Sequence, residues 1–191
     1  MRPVLLLAAL CLPFAAHAQK LDAPQCAIDK ARYALKGAPE YTAGFTRLAH
    51  GRATSDLLFW IKTPKRTFWF GFESPNGYGG TWLAPSVSAE LLDAEDVREG
   101  GEPPQAIRDW EASVEEAGEP DPLQNITFDA FRPDLAAYES PPQSSDPAPA
   151  RIFLRGIGQA LWYSWRWAAA GDPKAEQESI PTAMWEPSGC A

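Results

Sequence analysis

Histidine is scarce in this chain of 191 residues: His17 and His50 are the only two. Nucleophilic catalysis of the Ser/His/Asp type needs an imidazole base, and zinc sites draw most of their ligands from His and Cys. His17 falls in an N-terminal leader described below. That leaves His50, in the polar turn Ala49-His50-Gly51-Arg52, where an exposed bystander is expected. Lysine and arginine are nowhere concentrated, which disfavours a nucleic-acid partner because phosphate backbones demand clustered cations. No Gly-rich loop precedes a helix, so nucleotide binding has no support. Asn76-Gly77-Tyr78-Gly79-Gly80 is Gly-rich but lies between strands and reads as a turn. No spaced Asp/Asn loop suggests calcium. The sequence thus implies no cofactor and no metal.

Long apolar runs are also missing. A spanning helix needs roughly 20 apolar residues; the longest stretch, residues 4–16, offers 13. Its short basic start at Arg2, its apolar centre, the break at Pro13 and the small-x-small pattern of Ala16-His17-Ala18 identify residues 1–18 as a cleavable signal peptide. Residues 19–191 are then a single soluble domain in the periplasm or outside the cell. Cysteine is rare, and removal of Cys11 with the leader leaves Cys26 and Cys190 near opposite ends of the chain. In an oxidising compartment they are expected to pair. A zinc site built from both thiolates and His50 is the weaker alternative.

What the chain has in abundance is aromatic residues and local acidity. Eight Trp, nine Phe and five Tyr supply apolar area for a real core. Residues 90–121 hold twelve acids against two bases, Arg98 and Arg108, so one segment makes the whole protein acidic. Pro104, the helical spacing of Ile107, Trp110, Val114 and Ala117, and Gly118 predict a helix there. Its polar face carries Asp109, Glu111, Glu115 and Glu116. A weaker helix is expected over 88–97, and another over 24–36, where Ile28, Ala31 and Leu35 share a face.

Strands are expected over 41–47, 55–63, 66–73, 81–84, 126–131, 151–155 and 160–167, with loops over 74–80 and 141–149. The tail from residue 170 reads as irregular. Residues 55–63 and 66–73 form one aromatic hairpin; 151–155 and 160–167 form a second. The two match at a fixed offset of 93, which suggests a pseudo-repeat of about 41–88 and 126–188 around an acidic helical insertion at 88–121. The expected fold is α+β and predominantly β: an antiparallel sandwich or curled sheet on two aromatic-rich hairpins, with two or three flanking helices.

Alternation places Phe68, Phe70 and Phe72 on one face of their strand, with Leu161, Tyr163, Trp165 and Trp167 likewise on theirs. The opposite faces carry Trp69 and Trp162 between small residues. An exposed aromatic platform of Trp69, Trp162 and Tyr78, rimmed by Glu73 and Arg166, suits a glycan. A helix packed on that face with Trp110 beneath it explains the same pattern without a ligand. The sequence favours a non-catalytic, exported interaction protein that engages a cationic protein through its acidic face, as an inhibitor or immunity protein does. A glycan- or envelope-binding module is the alternative. A cell-wall or glycan hydrolase is the weakest reading: it needs two carboxylates, one of them desolvated, and only Glu73 is a shielded prospect.

Overall fold

The computed structural model describes residues 21–51, 54–74, 80–94, 101–121, 123 and 125–191. The expected leader, Tyr78 and part of the acidic block lie outside them. The strands are β1 (Ala31–Leu35), β2 (Ala38–Arg47), β3 (Leu57–Lys62), β4 (Thr67–Glu73), β5 (Trp82–Ser86), β6 (Ile126–Phe131), β7 (Arg151–Arg155) and β8 (Met184–Cys190). They follow one another in chain order around a closed antiparallel barrel, with β8 paired to both β7 and β1. The predominance of β-structure is as expected, but the architecture is a barrel and not a sandwich.

Four expectations are corrected. Residues 24–36 hold only a 3-10 turn, Ile28–Lys30, before β1. Ala31, Tyr33 and Leu35 are buried at every second position, and strand period prevails because this segment fills the place between β2 and β8. Residues 160–167 do not form a strand. Gly156, at φ 82°, turns the chain into α3 (Ile157–Tyr163), which is followed by α4 (Trp165–Ala168). The second aromatic hairpin is therefore absent, and the offset of 93 pairs strand β4 with a helix. The tail ends in a strand, β8, where Pro187 and Gly189 are accommodated by a register shift against Arg32 and Tyr33. Two further helices precede these in the chain, α1 (Ala89–Leu92) and α2 (Gln105–Ala117).

The run Leu57 to Ile61 shows how sequence meets barrel. Leu57, Phe59 and Ile61 point into the lumen, where Phe45, Phe72 and Phe128 join them. The ring of Phe128 lies 5.2 Å from those of Phe59 and Phe72, and Phe45 is 5.3 Å from Phe59, mostly edge to face. An eight-stranded barrel is just wide enough to be filled by side chains; here they fill it, and ligand chemistry belongs on the outside. Leu58 and Trp60 point outward instead. Trp60 lies across Gly44, whose hydrogen in place of a Cβ leaves room for the ring, and stacks under the guanidinium of Arg32 at 5.3 Å.

The two barrel ends differ. At one, Cys26 and Cys190 form the expected disulfide across a sequence separation of 164. Beside it a clasp joins 54–56 to 141–146. Ser55 Oγ donates to Pro142 O at 2.6 Å, Gln143 Nε2 to Thr54 O at 2.9 Å, and Ser144 N to Asp56 Oδ1 at 2.7 Å, while the Ser144 hydroxyl also donates to Asp56 Oδ2. The connections that leave the other end hold the four α-helices of the described residues. Residues 87–125, between β5 and β6, hold α1 and α2; residues 156–183, between β7 and β8, hold α3 and α4.

Two predictions concern the disulfide end. Cross-linking a loop of this size restricts the unfolded chain by about 5 kcal/mol at most. The double substitution C26S/C190S is expected to lower unfolding stability by up to that amount in denaturant titrations, with the β-type circular dichroism retained. The Asp56 carboxyl is pushed up by burial, but the hydrogen bonds from Ser144 and the nearby Arg47 outweigh this and hold it below its ordinary value. The clasp therefore stabilises fully above the ordinary carboxylate range and is lost as pH falls through the depressed value. In urea titrations across acid pH, D56N is expected to be less stable than the parent by about 2 kcal/mol at neutral pH, with the gap closing on acidification.

Candidate functional site

The helical end is where exposed chemistry collects. Leu58, on the outer wall of β3, forms a second apolar cluster with Leu48, Ala89, Leu92 and Ile107, with Trp69 of β4 and Trp110 packed against it. Ile107 and Trp110, one turn apart, thereby seat α2 on the barrel. Trp69 is half-buried under that helix, as the ligand-free account of its pattern requires. Gly171, at φ 79°, lies so close that a Cβ there would stand 3.1 Å from Cβ of Trp110; glycine meets both the left-handed backbone and the tight approach. The indole N–H of Trp110 is buried without a hydrogen-bond partner among the described residues.

With its apolar stripe committed to the wall, α2 turns Asp109, Glu111, Glu115 and Glu116 to solvent. Arg108 is directed back toward the helix start, where it donates to Pro103 O and Gln105 Oε1 and lies 3.8 Å from Glu102. Among the described residues none of the four outward carboxylates is in an ion pair; Asp109 accepts a hydrogen bond from Gln105 at 2.6 Å. Between α2 and α4 runs a groove of about 670 Å³, with Asp109, Ser113 and Glu116 on one wall and Trp165, Arg166 and Asp172 on the other. Arg166 stacks on Trp165 at 5.1 Å.

A charged latch fixes this arrangement. Arg66, in the turn between β3 and β4, donates from Nε to Glu178 Oε1 at 2.6 Å, from Nη1 to Asp172 Oδ2 at 2.7 Å and from Nη2 to Lys174 O at 3.2 Å. The Glu178 side chain is 5 % exposed and that of Arg66 14 %. Nearby Lys65 pairs with Glu176 at 3.0 Å. The β3–β4 turn thus clamps residues 172–178, which follow α4, onto the barrel.

The residues singled out from the sequence are dispersed. Trp69 lies under α2, while Trp162 sits on α3 with 43 % of its surface exposed and lines a different cavity. Glu73 ends β4 at the disulfide end and Arg166 lies on α4 at the helical end, so they do not rim one site. Glu73 and His50 are both exposed. Among the described residues no group of three or more His, Cys, Asp or Glu is placed to hold a metal ion. Sequence reasoning missed the Arg66–Glu178 latch, which joins positions 112 apart and leaves no local trace. It also missed the exposure of Tyr163; the helical spacing of Ile157, Ala160 and Leu161 was the available signal. Comparison with protein families, curated proteins and solved structures finds no match for this chain.

Removing one partner of a buried ion pair strands the other charge, typically at a cost of about 3 to 5 kcal/mol, whereas an apolar replacement of both is far milder. R66A is expected to lose about 3 kcal/mol of stability, and R66M/E178L to recover most of it. A denaturant double-mutant cycle measures both.

Proposed function

We propose that this chain is an exported, non-catalytic binding protein that docks a cationic protein partner on the outward face of α2, as an inhibitor or immunity protein would. The observation that carries this reading is the set Asp109, Glu111, Glu115 and Glu116, exposed and in no ion pair among the described residues, on a helix whose other face is fixed to the barrel. A helix held in place loses little conformational freedom on association, and a one-signed surface steers an oppositely charged partner toward it. The groove beside it sets Asp109 and Glu116 on one wall, where a partner's Lys or Arg side chain finds countercharge, while the Trp165 ring on the opposite wall already carries Arg166.

Export is supported by the leader-like first 18 residues together with the disulfide, which persists in oxidising compartments. Among the described residues no helix is long and apolar enough to cross a membrane. The exposure of Glu73 and His50, and the placement of Arg166 at the opposite barrel end from Glu73, support binding over hydrolysis.

The test compares the processed protein with the variant D109N/E111Q/E115Q/E116Q, each immobilised and exposed to extracytoplasmic extract from the native source. At about 50 mM salt the parent is expected to retain a basic protein that the variant does not, and about 0.5 M salt should release it, because screening at that strength shortens the reach of exposed charges to a few ångströms. Identical capture by both proteins, or retention indifferent to salt, contradicts the proposal.

A further inference from the structure

A second cavity, of about 500 Å³, is lined by none of the acidic-face residues. One wall is the exposed side of α3, with Gln159, Trp162 and Tyr163; the other is the stretch from Ser179 to Thr182, which leads toward β8. Trp162 and Tyr163 are 43 % and 70 % exposed, among the most exposed large apolar side chains in the described chain. They are adjacent on the last turn of a seven-residue helix whose buried side, Ile157, Ala160 and Leu161, plugs the barrel end.

The walls are fixed before any ligand arrives. Gly158 packs against the facing stretch so closely that a Cβ would lie 3.2 Å from Ile180 O. Glu178 N donates to Leu161 O at 3.1 Å, Gln177 Nε2 to Trp162 O at 3.0 Å, and Tyr41 Oη to Ser179 O at 3.2 Å. The backbone that carries both aromatic rings is therefore tied to the facing segment by two hydrogen bonds, and that segment is held in turn by Tyr41 of β2 and, through Glu178, by Arg66.

The chemistry of the lining selects the ligand. Its one charged residue, Arg155, is neutralised by Asp129, to which Nε donates at 2.7 Å and Nη2 at 3.3 Å. The side chains of Gln159, Ser179 and Thr182 have no intramolecular hydrogen-bond partner among the described residues. A neutral groove with two exposed aromatic faces and a row of free amide and hydroxyl groups matches a molecule with apolar ring faces and equatorial hydroxyls. Charged peptides and phosphorylated ligands find no countercharge here. We infer that the α3 groove is a binding site for a neutral oligosaccharide, with Trp162 and Tyr163 stacking on sugar rings and Gln159, Ser179 and Thr182 bonding their hydroxyls. This site is independent of the acidic face of α2.

The test uses the processed, disulfide-bonded protein and isothermal titration with three soluble probes: the tetramer of N-acetylglucosamine, cellotetraose and maltotetraose. At least one is expected to bind saturably, with little dependence on salt because no ion pair forms. W162A should weaken that binding about tenfold or more and Y163A several-fold, with W162F intermediate because it keeps a flat ring. Since both rings are exposed, these variants should unfold at the parent's denaturant midpoint. The variant D109N/E111Q/E115Q/E116Q should bind sugar as the parent does, which separates this result from the fate of the protein-docking proposal. Absence of saturable binding to all three probes overturns the inference, as does binding that survives W162A and Y163A unchanged.

Discussion

Strand β8 pairs with β7 through Ile152 and Phe153 on one side and with β1 from Ala31 to Leu35 on the other, and this double pairing closes the sheet. An open sheet of seven strands would leave β1 and β7 with unpaired backbone groups along two edges. Closure removes both edges and encloses the lumen that the phenylalanines fill. Trp185, the second residue of β8 and 1 % exposed, is part of that lumen. The disulfide secures the same strand at its last residue, Cys190, to the segment that precedes β1. The fold is thus fastened where the chain's two ends meet.

Closure also decides where function can lie. A lumen filled with Phe45, Phe59, Phe72 and Phe128 leaves the outer surface as the place for recognition. The disulfide end is occupied by its clasp. The helical end presents two surfaces of different character, the acidic face of α2 and the neutral aromatic groove of α3. Both stand on segments anchored to the barrel wall, one through Ile107 and Trp110 against Trp69 and Leu58, the other through Glu178 on Arg66. Rigid backing limits the entropy lost on binding and suits an interaction protein.

Much of the barrel was legible in the sequence where strand period and turn chemistry agreed. β3 and β4, joined by Thr63-Pro64-Lys65-Arg66, and β6 lie where alternation put them. The acidic helix ends at Gly118, with its φ of 70°, as the residue suggested. Reading failed where two periods coexist. Leu161, Tyr163, Trp165 and Trp167 alternate like a strand, while Ile157, Ala160, Leu161 and Ala168 recur like a helix; the helical set is buried throughout, whereas of the alternating set only the shared Leu161 is. The choice between them is tertiary: β8 occupies the place beside β7 that a strand at 160–167 would have taken. β8 itself was hidden by Pro187, Ser188 and Gly189, poor strand formers that closure and a bulge accommodate. Of the residues picked for a site, the two Trp positions were informative singly and misleading as a pair, because their presumed common face depended on the absent hairpin.

Amide hydrogen exchange across β8 under native conditions tests the closure most directly. If β8 completes the barrel, the backbone amides of Trp185 and of its neighbours Leu35 and Ile152 should exchange only through global unfolding, at rates that match Phe70 in β4. Exchange of β8 at loop-like rates, while β3 and β4 stay protected, would show an open sheet with a loose tail and contradict the account.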